Sequence, residues 1–94
     1  MTGFTVRVEL HDADDDDYEE LHEAMEKEGF ERTIVGESGT TYRLPTAEYR
    51  YYSDTESRGD VRNKAYDIAK KIKSKPWVLV TEGPSCWRGL EEED

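Results

Sequence analysis

One cysteine, two histidines and three prolines are spread over 94 residues, and the scarcity of the first two removes whole classes of chemistry. With Cys86 alone, no disulfide closes within the chain and no zinc centre of the several-cysteine kind can be assembled, so a reducing compartment is expected. No apolar stretch approaches the ~20 residues that span a bilayer. The first residues also lack the basic-then-apolar run of a secretion signal, and the expectation is a cytoplasmic protein with no membrane partner. Gly36-Glu37-Ser38-Gly39 lacks the lysine and following helix of a phosphate-binding loop. Repeats and proline-rich linkers are missing too.

What is present is pattern. Phe4, Val6, Val8 and Leu10 alternate with Thr5, Arg7, Glu9 and His11, the period of a strand with one buried face. Tyr18, Leu21, His22 and Met25 then recur at helical spacing. Asp16 with Glu19, or Asp17 with Glu20, has capping-box spacing, and Gly29 followed by Phe30 is a natural helix stop. Strands are expected at 31–35, 40–44 and 48–52, the last with Tyr49 and Tyr51 inward and Glu48, Arg50 and Tyr52 outward. Val61, Ala65, Ile68 and Ile72 mark a second helix, and Trp77-Val78-Leu79-Val80-Thr81 a final strand apolar enough to be mostly buried. This order predicts an α+β, ferredoxin-like βαββαβ two-layer sandwich, with a four-stranded antiparallel sheet and two helices on one face. One domain is expected over 1–90, followed by an acidic, frayed tail at 91–94.

The net charge of −10 is unevenly distributed. Residues 1–30 carry eleven acids against Arg7 and Lys27, whereas over 58–75 seven lysines and arginines face only Asp60 and Asp67. Such segregation leaves room for a basic surface, so overall acidity does not exclude single-stranded RNA as a partner.

Asp12 closes the first strand, and with Asp14 it can hold a divalent cation such as magnesium; the alternative is that both carboxylates cap the helix or stay solvated. No cofactor is certain. His11 and His22 are the only imidazoles available as general base or acid for attack by an RNA 2′-hydroxyl, which needs no metal. His22 lies on the apolar helix stripe, where packing is the competing role. Arg7 and Arg50, with Tyr52 and Tyr42, are expected to share the open sheet face, where guanidinium groups bind phosphate and aromatic rings stack on bases. The same residue types suit a protein interface equally well.

Taken together, Val8-Glu9-Leu10-His11-Asp12, Glu28-Gly29-Phe30-Glu31-Arg32-Thr33-Ile34, and Tyr42-Arg43-Leu44-Pro45 ahead of Glu48-Tyr49 resemble the GhoS-type endoribonuclease antitoxins of type V toxin–antitoxin systems. That family is similar to the small ferredoxin-like ribonucleases associated with CRISPR. The resemblance implies a homodimer, RNA as substrate and Asp12 as a metal-binding candidate at the end of the first strand. On this reading Asp12, His11 and His22 are the catalytic candidates, Asp12 and Asp14 the metal ligands, and Arg7, Arg32, Arg43, Arg50 and Tyr52 the RNA contacts. Two other readings are a non-catalytic module docking a protein through the sheet face or an edge strand, and an acidic mimic of nucleic acid.

Overall fold

The computed structural model describes residues 2–93. Its elements are β1 (Thr2–Glu9), α1 (Asp15–Lys27), β2 (Thr33–Val35), β3 (Thr41–Arg43), β4 (Glu48–Ser53), α2 (Arg58–Ile72) and β5 (Trp77–Glu82). The class is α+β, as the alternation of patterns predicts. β1 is the central strand of a three-stranded antiparallel sheet of order β4-β1-β5, and β2 and β3 form a separate two-stranded ribbon.

The expected single four-stranded sheet is therefore not what forms. Between α1 and β2 the chain pairs with β4 through one isolated bridge, where Glu31 and Arg50 exchange backbone hydrogen bonds of 2.8 and 2.7 Å. One residue later the Arg32 carbonyl, on the opposite side of the chain, accepts from the Leu44 amide at 2.8 Å and begins the pairing of β2 with β3. The acidic tail, expected to fray, runs along the other side of β3: Arg43 N–H donates to the Glu91 carbonyl at 2.9 Å and Glu93 N–H to the Thr41 carbonyl at 2.8 Å. Asp94 lies outside the described residues.

Both helices cover the same face of the sheet. Phe4, Val6, Val8 and Leu10 of β1, with Tyr49 and Tyr51 of β4, meet Leu21 and Met25 of α1 and Val61, Ala65 and Ala69 of α2 in one buried cluster. Each large apolar side chain buried there contributes about 1.5–3 kcal/mol. The two alanines let α2 lie close to the sheet. Phe30 completes the core by stacking on Tyr51, ring centroids 4.4 Å apart.

The helix ends follow the sequence, with one displacement. Gly29 adopts φ +89°, the left-handed conformation glycine accepts without a Cβ clash. Its amide and that of Phe30 bond back to the Glu26 and Met25 carbonyls, giving a Schellman cap. At the other end the cap is Asp14 with Asp17, not Asp16 with Glu19 or Asp17 with Glu20. Asp14 is extended, accepts from Asp17 N–H at 3.0 Å and donates its own N–H to the Asp17 carboxylate at 3.2 Å. Ser57 and Asp60 make the equivalent box for α2, and these bonds hold the Asp60 carboxyl below its ordinary range.

The last strand departs most from expectation. β5 pairs with β1 on one side and is an edge of the sheet; because the helices cover one face alone, Val78 and Val80 turn inward while Trp77 and Leu79 stand 67% and 64% exposed.

Candidate functional site

The open face is defined by residues of odd parity on β1 and their cross-strand partners. Thr5 lies between Arg50 and Thr81, Arg7 between Glu48 and Leu79, Gly3 opposite Tyr52, and Glu9 opposite Trp77. Four charges of balanced sign, Arg7, Glu9, Glu48 and Arg50, thus share a surface with Tyr52, Trp77 and Leu79. Arg7 is exposed, as is Tyr52 at 42%.

Arg50 differs from Arg7. Although it points to the same face, it is only 5% exposed, because segment 83–86 folds over it, anchored by Gly83 N–H donating to the Gly3 carbonyl at 2.9 Å. Its Nη1 donates to Thr5 Oγ1 at 2.9 Å and reaches Ser85 Oγ at 3.5 Å, and its Nε points to Tyr52 Oη at 3.4 Å. Its guanidinium carbon sits 5.3 Å from the Tyr52 ring centroid, a cation–π distance. Thr5 Oγ1 and Ser85 Oγ are themselves 3.2 Å apart. Gly3 makes this possible, since a Cβ there would occupy the space of the guanidinium.

Of the expected catalytic groups only His11 belongs to this face. Its ring packs edge-on against Trp77, centroids 4.6 Å apart, and Nε2 is buried with no hydrogen-bond partner among the described residues. Asp12 is exposed in the turn after β1, with φ +55°. Asp14, expected as a second metal ligand, has its carboxylate in the α1 cap. Among the described residues no group of three or more histidine, cysteine, aspartate or glutamate side chains is arranged to hold a metal ion.

His22 lies elsewhere, in the helix layer. It is 4% exposed, and its Nδ1 is 2.7 Å from Tyr49 Oη, so one ring nitrogen is committed within the core. Burial first, then the nearby Arg32 guanidinium, hold its pKa below the ordinary value, outweighing Glu19 and Glu26. Burial likewise pushes the Tyr49 phenol well above its usual range. This is the packing role set against catalysis for a histidine on an apolar stripe.

The five expected RNA contacts separate in the same way. Arg7, Arg50 and Tyr52 share the open face, whereas Arg32 and Arg43 line a cleft with Glu26, Phe30, Glu31 and Glu93. Arg43 Nε bonds the Glu93 carboxylate at 2.7 Å there, so its charge is met by the tail. Tyr42, also expected on the open face, packs edge-on against Trp87 on the ribbon at 5.6 Å. Two of the basic residues of α2, Lys64 and Lys71, line a groove against α1 with Glu20 and Glu23, and Lys73 Nζ is 3.7 Å from Asp17.

Three residues of the face were not singled out as contacts from sequence: Trp77, Thr5 and Ser85. A period-2 reading of 77–81 carries a signal for the first, since Trp77 and Leu79 share one parity and Val78 and Val80 the other. No local pattern links Thr5 to Ser85. No helix among the described residues is long and apolar enough to cross a membrane. No protein-family model, no curated protein and no solved structure matches the chain.

Proposed function

We propose that this chain binds single-stranded RNA across the open face of its sheet, as a relative of the endoribonuclease antitoxins it resembles. The observation that carries the reading is one exposed guanidinium, Arg7, on the central strand between two exposed rings, Tyr52 on one neighbouring strand and Trp77 on the other. Extended RNA laid across the strands stacks a base on each ring and sets a phosphate against Arg7. The ferredoxin-like description enters with this proposal: β5-β1-β4, continued by the Glu31 contact, has the strand order of a split βαβ sheet with its fourth strand reduced to one bridge. Cleavage by this chain falls to His11, the imidazole beside Trp77, with Asp12 in the following turn as the site for any assisting magnesium.

The experiment is a titration of fluorescent single-stranded RNA at several salt concentrations above about 0.1 M, with a gel run for cleavage products. One phosphate contact at Arg7 gives a slope of log K against log salt of about −0.7, and each further contact adds a similar increment. Trp77→Ala removes one stacked base, worth about 1–3 kcal/mol, a loss of roughly 5- to 150-fold in affinity. Products that vanish in His11→Ala assign the chemistry. Absence of binding, or binding indifferent to both salt and Trp77→Ala, overturns the proposal.

A second reading has its own observation. Leu79 stacks no base, yet it stands 64% exposed beside Trp77 on a strand with one edge unpaired, a surface suited to docking a protein strand. Such docking survives salt that abolishes RNA binding.

A further inference from the structure

We infer that Arg50, Thr5 and Ser85 form a receptor for a single phosphate-type oxyanion, covered by segment 83–86. The inference shares its sheet face with the RNA reading but stands on a different observation: a buried cation with hydroxyl groups and one aromatic ring around it and no carboxylate.

Arginine keeps its charge at any pH a protein survives, and a charge removed from water is normally met by an opposite one. Arg50 is 5% exposed, yet among the described residues no carboxylate lies within ion-pair distance of it. Its polar neighbours are Thr5 Oγ1, Ser85 Oγ and Tyr52 Oη, and the Tyr52 ring beneath it carries no formal charge. Each hydroxyl oxygen accepts from the guanidinium, but each also carries a proton. The 3.2 Å Thr5–Ser85 contact absorbs at most one of these. The cluster therefore holds a positive charge and more donors than acceptors, and a tetrahedral oxyanion supplies both the missing charge and the missing lone pairs.

The geometry provides a seat and an opening. Nη2 rests on Gly3, where no side chain intervenes, and Nη1 is turned toward Thr5 and Ser85. Ser85 is exposed and belongs to the covering segment, which meets the sheet through the Gly83–Gly3 hydrogen bond. An anion entering beside Ser85 meets the Nη1 side of the guanidinium together with the hydroxyls of Thr5 and Ser85. The shared chemistry fits either free phosphate or a phosphodiester of a nucleic-acid strand.

The test is a titration of the full chain with inorganic phosphate, against chloride at matched ionic strength, followed by the backbone amide resonances of Gly3, Thr5, Arg50 and Ser85. Saturable shifts confined to these residues are expected, weakened at least about tenfold in Arg50→Lys, which keeps the charge but loses the fork. Ser85→Ala, at an exposed position that leaves Arg50 in place, is expected to weaken binding about three- to tenfold, the loss of one hydrogen bond. No saturation, or shifts unchanged in Ser85→Ala, overturns the receptor. A parallel RNA titration separates the two ideas and the two sources. Phosphate binding without RNA binding keeps the receptor for the free ion and removes the RNA reading. RNA displaced by phosphate and weakened by Arg50→Lys identifies the phosphodiester as the ligand. RNA binding indifferent to phosphate and to Arg50→Lys, with no phosphate shifts, removes the receptor and leaves the RNA reading intact.

Discussion

Gly3→Ala tests the seating of Arg50 through a change of sign. A methyl group at position 3 enters the space of the Arg50 guanidinium and forces it off Thr5. The hydrogen bond so lost, 2.9 Å from a charged donor to Thr5 Oγ1, is worth about 1.5–3 kcal/mol. Against this, alanine is favoured over glycine within a strand by about 0.5–1 kcal/mol, and position 3 shows none of the positive φ that would demand glycine. The net expectation in the wild-type chain is a destabilisation of about 0.5–2.5 kcal/mol. With Arg50→Ala already present, nothing occupies the space, and the same substitution stabilises by about 0.5–1 kcal/mol. Urea unfolding of the four proteins in phosphate-free buffer, with a common m-value, reads the coupling directly. If Gly3→Ala stabilises wild type as much as it stabilises Arg50→Ala, the guanidinium does not rest on Gly3 and the account of this site is wrong.

His22 gives a pH signature. Because its pKa is lowered in the fold, the unfolded chain takes up the proton first as pH falls, so its contribution is whole above about 6.5 and is lost as the solution is acidified toward the folded value. The difference between wild type and His22→Gln in unfolding free energy should follow that course, and a difference that grows on acidification would contradict it. Asp14→Ala should cost about 0.5–2 kcal/mol in thermal or urea unfolding, with Asp16→Ala close to neutral, since only Asp14 caps α1. Equal effects would mean the cap is shared. Arg7→Glu, at an exposed position, should leave stability within about 0.5 kcal/mol while weakening RNA binding and reducing the slope of log K against log salt by about 0.7; unchanged RNA affinity would move the phosphate contact elsewhere.

The sequence is most legible where one residue type per turn or per pleat decides the outcome. Phe4, Val6, Val8 and Leu10 are all buried because strict alternation admits only one inward face, and Tyr49 and Tyr51 follow the same rule. Gly29 ends α1 because no other residue there takes the left-handed conformation so easily. The start of α1 is less legible, since aspartates at 14–17 all have cap chemistry. The choice is made by the connection: Leu10 N–H donates to Tyr18 Oη at 3.0 Å, tying the first turn of the helix to the end of β1. β5 is less legible because Trp77, Val78, Leu79 and Val80 are apolar on both parities, and it is the covering of one sheet face by both helices that buries Val78 and Val80 and leaves Trp77 and Leu79 in the open. Asp12, His11 and His22 are close in sequence, but the chain turns between them and places His22 in the core. Thr5 and Ser85 meet across the whole length of the chain, a contact that follows from topology and from nothing local.

Net charge decides little about partners, because its distribution follows the layers of the fold. The acids of α1 stand in the helix layer beside the bases of α2, where Lys73 meets Asp17 and Lys64 and Lys71 face Glu20 and Glu23. The sheet face on the opposite side carries Arg7 and Arg50 against Glu9 and Glu48, no net charge at all. With a screening length of about 8 Å at physiological salt, repulsion from acids a layer away is largely damped at that face. What remains there is local: an exposed guanidinium between two rings, and a buried one among hydroxyls. On the proposed reading, attraction for phosphate at this surface comes from the placement of two arginines and not from the total charge, which opposes it.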